Sequence, residues 1–232
     1  MNYKKIVEAT FIERPNRFIA YCQINETIEK VHVKNTGRCR ELLTPNCTVY
    51  LEESDNPNRK TKYSLIAVQK GNRLINMDSQ VPNKVVQEAL INKTIVLPGL
   101  DEEISFIKPE KTYGNARFDI YLETKNKKAF IEIKGVTLEE EGVVLFPDAK
   151  TERGLKHIKE LIEAKKDGYH SYIIFLVQMK NVKYFTPNIK IHKELGDALI
   201  EAQNAGVNVL AYDCEVNPNS IEIKDEVNVK LL

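Results

Sequence analysis

Hydrophobic and polar positions fall into two regimes along the chain. Up to about residue 80, "KIVEATFIE", "RFIAYCQI", "TIEKVHVK", "CTVYLEE", "KYSLIAVQK" and "RLINM" are short segments rich in β-branched and aromatic residues. Turn-forming residues separate them: Pro15-Asn16, Asn25-Glu26, Thr36-Gly37, Pro45-Asn46 and the polar run "SDNPNRKTK". Short strands with no long helix between them predict a small barrel or sandwich, and an OB-like barrel suits this size.

After Asp78 the period changes. "VPNKVVQEALINKTI" places Val85, Val86, Ala89 and Leu90 at helical spacing, with Asn83 as its expected cap. Strands are expected at "ISFIKPE", "ARFDIYLE" and "AFIEIKGVTL", and a helix over "TERGLKHIKELIEAKKDG" that stops at Gly168. "YHSYIIFLVQM" is a nearly continuous apolar run, as in a strand covered on both faces. "NIKIHKELGDALIEAQNAG" predicts a further helix and "VNVLAYDCEV" a closing strand. The fold class expected is therefore all-β followed by α/β. Residues 1–80 form an OB-like barrel, and residues 81–232 a three-layer domain with a mixed sheet.

Charge sharpens this division. The whole chain is nearly balanced, 34 basic side chains against 33 acidic. Residues 1–80 carry 13 basic and 9 acidic groups, and residues 81–232 carry 21 and 24. A basic front module suits a polyanionic partner, and uneven solvated surface explains the same asymmetry. The 42% apolar and 29% charged fractions are those of a globular chain. No apolar run approaches the ~18–20 residues that span a bilayer, and the N-terminus lacks the apolar stretch of a signal peptide. The four cysteines form no C-x-x-C pair, so the expectation is a cytoplasmic chain with free thiols and no zinc site.

Chemistry concentrates in "AFIEIKGVTL". Alternate side chains of a strand share a face, so Glu132 and Lys134 point one way and Ile131 and Ile133 the other. The preceding strand offers Asp119. If the hairpin between them turns at Lys125-Asn126, Asp119 lies directly opposite Glu132, with Cβ atoms roughly 4.5–5.5 Å apart. Two carboxylates that close repel unless one is protonated or a cation lies between them. Mg²⁺ commonly takes one or two carboxylates, and Lys134 would hold positive charge beside it. A one-residue slip would turn one carboxylate away. Spacing alone also fits a solvated strand face.

"NTGRCRELL" (35–43), "RFDIYL" (117–122), "IEIKGVTL" (131–138) and "FPDAKTERGLKH" (146–157) resemble, in order, the motif blocks of the SfsA family, the sugar fermentation stimulation protein A homologues. The resemblance implies an N-terminal OB-type domain and a C-terminal domain similar to PD-(D/E)XK nucleases. It implies DNA binding, single- or double-stranded, and by name a link to sugar (maltose) metabolism. It also implies catalytic and metal-binding roles at Asp119 and Glu132, with Mg²⁺ or Mn²⁺ as cofactor, and water activation by Lys134. Phe118 stands where such nucleases often carry Pro. Glu88 falls where related nucleases often place a further acidic ligand, although a solvent-facing Glu explains it as well. Asn35, Arg38 and Arg40 are the expected DNA contacts of the front domain, with ion pairs to Glu41 or Glu52 as the structural alternative. Arg153 and Lys156 are the expected contacts at a helix N-terminus. Asp148 or Thr151 is that helix's cap, and His157 a hydrogen-bonding residue.

Three functions remain open on these grounds. They are a Mg²⁺- or Mn²⁺-dependent nuclease, a non-catalytic DNA-binding regulator of sugar-metabolism genes, and a small-molecule or protein-interaction module. No Gly-rich nucleotide loop or tryptophan platform supports the third.

Overall fold

A computed structural model of the chain describes residues 1–35 and 37–231. Of the expected Thr36-Gly37 turn, Thr36 lies outside the described residues. The chain divides into two compact units. One holds residues 1–81 with 178–180 and 214–222; the other holds residues 82–177, 181–213 and 223–232.

The first unit contains β1 (Ile6–Glu13), β2 (Ile19–Ile24), β3 (Thr27–Val33), β4 (Thr48–Glu53), β5 (Tyr63–Lys70) and β6 (Arg73–Asn76). These are the six segments expected from the alternation. The strand order is β3-β2-β1-β4-β5-β6, and a parallel β3–β5 pairing closes β1 to β5 into a five-stranded barrel. Its core is the inward set that the alternation selects: Ala20, Cys22, Val31, Val49, Leu51 and Leu65 are all fully buried. Asn25 takes the left-handed conformation in the β2–β3 turn, as Asn tolerates. Polar side chains fasten the end of the unit. Asn76 Nδ2 donates to Tyr3 Oη at 2.8 Å, and Gln178 Nε2 donates to Asn76 Oδ1 at 2.9 Å. Half-buried Lys34 bridges Asp78 (3.1 Å) and Glu52 (3.3 Å).

In the second unit come α1 (Pro82–Ile91), β7 (Phe106–Tyr113), β8 (Ala116–Glu123), β9 (Lys128–Val136), β10 (Leu138–Glu140) and β11 (Val143–Phe146). They are followed by α2 (Glu152–Lys166), β12 (His170–Val177), β13 (Tyr184–Pro187), α3 (Lys193–Asn204), β14 (Asn208–Asn217), which counts with the first unit from Cys214 on, and β15 (Ser220–Glu226), which counts with the second from Ile223 on. The main sheet runs β15-β14-β12-β9-β8-β7. It is mixed: β7, β8 and β9 are antiparallel, whereas β9, β12 and β14 are parallel. Strand β12, the continuous apolar run, is central and buried throughout after His170. Phe130 anchors an aromatic cluster, with ring centroids 4.9 Å from Tyr169, 5.1 Å from Tyr121 and 5.2 Å from Phe118. Among the described residues, no helix is long and apolar enough to cross a membrane.

Three local outcomes differ from expectation, the first being that Asn83 lies inside α1 and does not cap it. The helix expected from residue 188 begins only at Lys193, because Asn188 is held elsewhere: its N–H donates to Phe146 O and its Nδ2 to Pro147 O. A side sheet β10-β11-β13 was not legible from strands of three or four residues. The cap of α2 is Thr151, whose Oγ1 accepts from Gly154 N at 3.0 Å. Thr151→Ala should therefore cost about 1 kcal/mol, read as a melting temperature lower by about 2–4 °C.

Candidate metal and phosphodiester site

The site depends on the β8–β9 register. Thr124 N donates to Lys127 O across a turn at Lys125-Asn126, and the partners are Glu123↔Lys128, Leu122↔Ala129, Tyr121↔Phe130 and Ile120↔Ile131. One step further brings Asp119 level with Glu132, which is the register the sequence argument required. There the ladder ends. Asp119 Oδ2 itself accepts the Ile133 N–H at 2.8 Å. On its other side the β7–β8 pairing passes from Pro109↔Ile120 to Lys111↔Phe118, leaving out Glu110, which has φ 54°. Pro109 has no N–H to give and Glu110 turns out of the ladder, so Asp119 sits where β8 is loosened from both neighbours.

Asp119 Oδ1 accepts a 2.9 Å hydrogen bond from Asn83 Nδ2 on α1. The helix starts at Pro82, so Asn83 lies inside its first turn and uses its amide on Asp119. Glu132 is almost wholly buried, at 1% exposure. Its Oε1 accepts from Lys134 Nζ at 2.5 Å and bonds His157 Nδ1 of α2 at 2.7 Å. Its Oε2 is buried and, among the described residues, has no hydrogen-bond partner.

The two carboxyls titrate in opposite directions. Burial, reinforced by the charge on Glu132, pushes Asp119 above the usual carboxylate range; the Ile133 N–H and Lys134 only partly offset this. Burial also pushes Glu132 upward, but the His157 bond and the Lys134 ammonium prevail and hold it below. Glu132 is thus the fixed anion and Asp119 the strained one. A group whose folded pKa is raised costs stability when ionised, and that cost disappears as pH falls through its folded pKa. Asp119→Asn should therefore raise the melting temperature of the metal-free protein at neutral pH, by about 2–4 °C for each kcal/mol relieved. It should also abolish any stabilisation by divalent cations. Thermal melts with and without Mn²⁺ check both halves.

A buried carboxylate oxygen without a donor is costly, and a second carboxylate close by increases the cost. Both observations fit a divalent cation facing Asp119 and Glu132 Oε2. Among the described residues, no third His, Cys, Asp or Glu joins them in a metal-holding group. Glu88 is exposed on α1. Arg153 and Lys156 are exposed on α2, and the Arg153 Nε reaches His157 Nε2 at 3.5 Å. Asp148 is exposed ahead of the helix.

On the barrel unit, Arg38 and Arg40 are exposed and line one cleft with Arg14 and Arg17. Among the described residues neither forms an ion pair, and Glu52 engages Lys34 instead. Asn35 works inside the loop: its Nδ2 donates to Met77 O and its Oδ1 accepts from Gly37 N. Arg14 ties the cleft together by donating to the carbonyls of Arg17, Asn35 and Arg38 at 2.6–2.7 Å. Sequence reasoning overlooked Asn83, Arg14 and Arg17. "ERPNR" signalled only a turn, and a helical Asn reads as a cap until the strand beside it is known.

Comparison with known proteins bears on the family and the fold. Residues 12–77 match the model of the SfsA N-terminal OB domain, and residues 80–220 that of the sugar fermentation stimulation protein RE domain. The sugar fermentation stimulation protein homolog of Clostridium beijerinckii is 56% identical, with both chains covered over 100% of their length. That of Desulfitobacterium hafniense is 58% identical, covering 100% of this chain and 99% of its own. The solved structure of Pyrococcus furiosus SfsA in complex with Ca²⁺ aligns with a TM-score of 0.88 at 29% identity, covering 99% of this chain and 98% of that one. The chain belongs to the SfsA, or sugar fermentation stimulation protein, family.

Proposed function

We propose that this protein is a DNA-binding, divalent-metal-dependent phosphodiesterase. The observation that carries the reading is the unpartnered, buried Glu132 Oε2 beside the strained Asp119. Such a pair is expensive to fold and is explained by a cation ligand. The P. furiosus relative was captured with Ca²⁺, a hard cation that takes oxygen ligands, as Mg²⁺ does.

Asp119 and Glu132 would hold Mg²⁺ or Mn²⁺. When bound, that ion supplies positive charge against the negative charge that develops on a phosphodiester under attack. The protein's own residues do the rest. Asn83 and the Ile133 N–H fix the Asp119 carboxylate, and Lys134 keeps an ammonium beside the pair to orient the attacking water. The exposed arginines of the barrel cleft supply phosphate affinity, because guanidinium forks pair bidentately with phosphate.

Incubation of purified protein with single- and double-stranded DNA and Mn²⁺ or Mg²⁺ tests the reading. Metal-dependent cleavage lost in Glu132→Gln supports it; cleavage that survives this substitution overturns it. The absence of a third acidic, His or Cys ligand among the described residues favours one alternative. In that reading the protein is a DNA-binding regulator in sugar metabolism that keeps a nuclease-like fold. DNA binding without cleavage at any metal concentration would select it.

A further inference from the structure

We infer that His157 is a positioning residue for Glu132, setting which carboxylate oxygen is left for the cation. The inference rests on the metal-site reading above. It starts from an asymmetry: among the described residues, the side chains bonded to Glu132, His157 Nδ1 and Lys134 Nζ, converge on Oε1, and none reaches Oε2. A freely rotating carboxylate would exchange its oxygens. Glu132 does not have that freedom, because it sits on β9 in the sheet interior and His157 comes from a different element, α2.

The imidazole is held in its turn. Its ring meets Phe118 edge-on, with centroids 6.2 Å apart and planes at 81°. Arg153 Nε lies 3.5 Å from Nε2 on the side away from Glu132. This long N–H contact to Nε2 favours the tautomer in which Nε2 accepts and Nδ1 carries the proton toward Glu132. His157 is 5% exposed and cannot reach a substrate phosphate from there. It acts through Glu132. This is the outer-shell arrangement in which a ligating carboxylate is itself oriented by a hydrogen bond, and its loss typically lowers metal affinity about 10–100-fold.

The arrangement also explains the spacing in "TERGLKH". Thr151 caps α2, and His157 lies six residues later, on the buried face with Ile158, Leu161 and Ile162. Arg153 lies four residues before His157, the interval that brings side chains together on a helix.

The test compares His157→Asn, His157→Gln and His157→Leu with the unsubstituted protein by calorimetric titration with Mn²⁺ alone. The Asn amide nitrogen lies as far from Cβ as Nδ1 does, so His157→Asn can keep the bond to Oε1. Gln places its amide one bond too far, and Leu fills the space without a donor. Mn²⁺ affinity is expected to stay near the unsubstituted value in the Asn variant and to fall about 10–100-fold in the Leu and Gln variants. Should His157→Leu fail to fold, the Asn–Gln contrast carries the same information. Equal affinity for all folded variants overturns the positioning role and leaves the metal site standing. Nitrogen NMR of the metal-free protein supplies a second readout, with the His157 proton expected on Nδ1. If the unsubstituted protein shows that tautomer but takes up no Mn²⁺, the metal reading falls and the positioning role falls with it.

Discussion

Glu132→Gln should lower Mn²⁺-dependent DNA cleavage by about 10²–10³-fold or more, the loss that follows removal of a principal electrostatic contact to a transition state. The change is nearly isosteric, and its effect can be traced atom by atom. The Gln carbonyl oxygen takes over the place of Oε1 and still accepts from His157 and Lys134. Its NH₂ then occupies the place of Oε2, the unpartnered position, and turns N–H groups toward the cation. The fold should survive, because both hydrogen bonds are kept, although the melting temperature should fall as Lys134 loses its counter-charge. A circular dichroism melt separates loss of chemistry from loss of structure. Cleavage within about tenfold of the unsubstituted protein would remove Glu132 from the site.

Replacing Arg38 and Arg40 together by Ala should weaken DNA binding across sequences. It should also flatten the plot of log affinity against log salt by about two units, about one for each phosphate no longer neutralised. Both side chains are exposed and, among the described residues, free of ion pairs, so removal forfeits no internal bridge and stability should change little. Arg14 is the contrasting case. Its guanidinium holds three backbone carbonyls of the loops, so its removal should disorganise the cleft rather than subtract a single phosphate interaction. Fluorescence anisotropy with one labelled duplex and one labelled single strand, over a salt series, reads both quantities. A slope unchanged in the double variant would place the phosphate-binding groups elsewhere.

The sequence made the site legible to the extent that it is a matter of local register. A two-residue turn at Lys125-Asn126 fixes which residues of β8 and β9 face each other, and strict alternation fixes their faces. The facing of Asp119, Glu132 and Lys134 follows from that register, whereas their reading as a metal site comes from the family resemblance, since the spacing also fits a solvated strand face. The barrel was legible for the same reason: each of its strands announces itself by alternation and is cut off by turn residues. What remained hidden depends on contacts distant in sequence. Asn83 meets Asp119 across 36 residues, and His157 meets Glu132 across 25. Neither pairing leaves a periodic trace. The short strands β10, β11 and β13 have too few residues to show a period. The tie of Asn188 to the chain around Pro147 stops a helix that local propensity would extend.

The central claim is that Asp119 and Glu132 share a divalent cation. Anomalous diffraction at the manganese edge, from crystals of the protein soaked in Mn²⁺, tests it most directly. The account predicts a peak in contact with the Asp119 carboxylate and with Glu132 Oε2, absent from crystals of Asp119→Asn. A saturating soak that leaves no peak between these two carboxylates would contradict it.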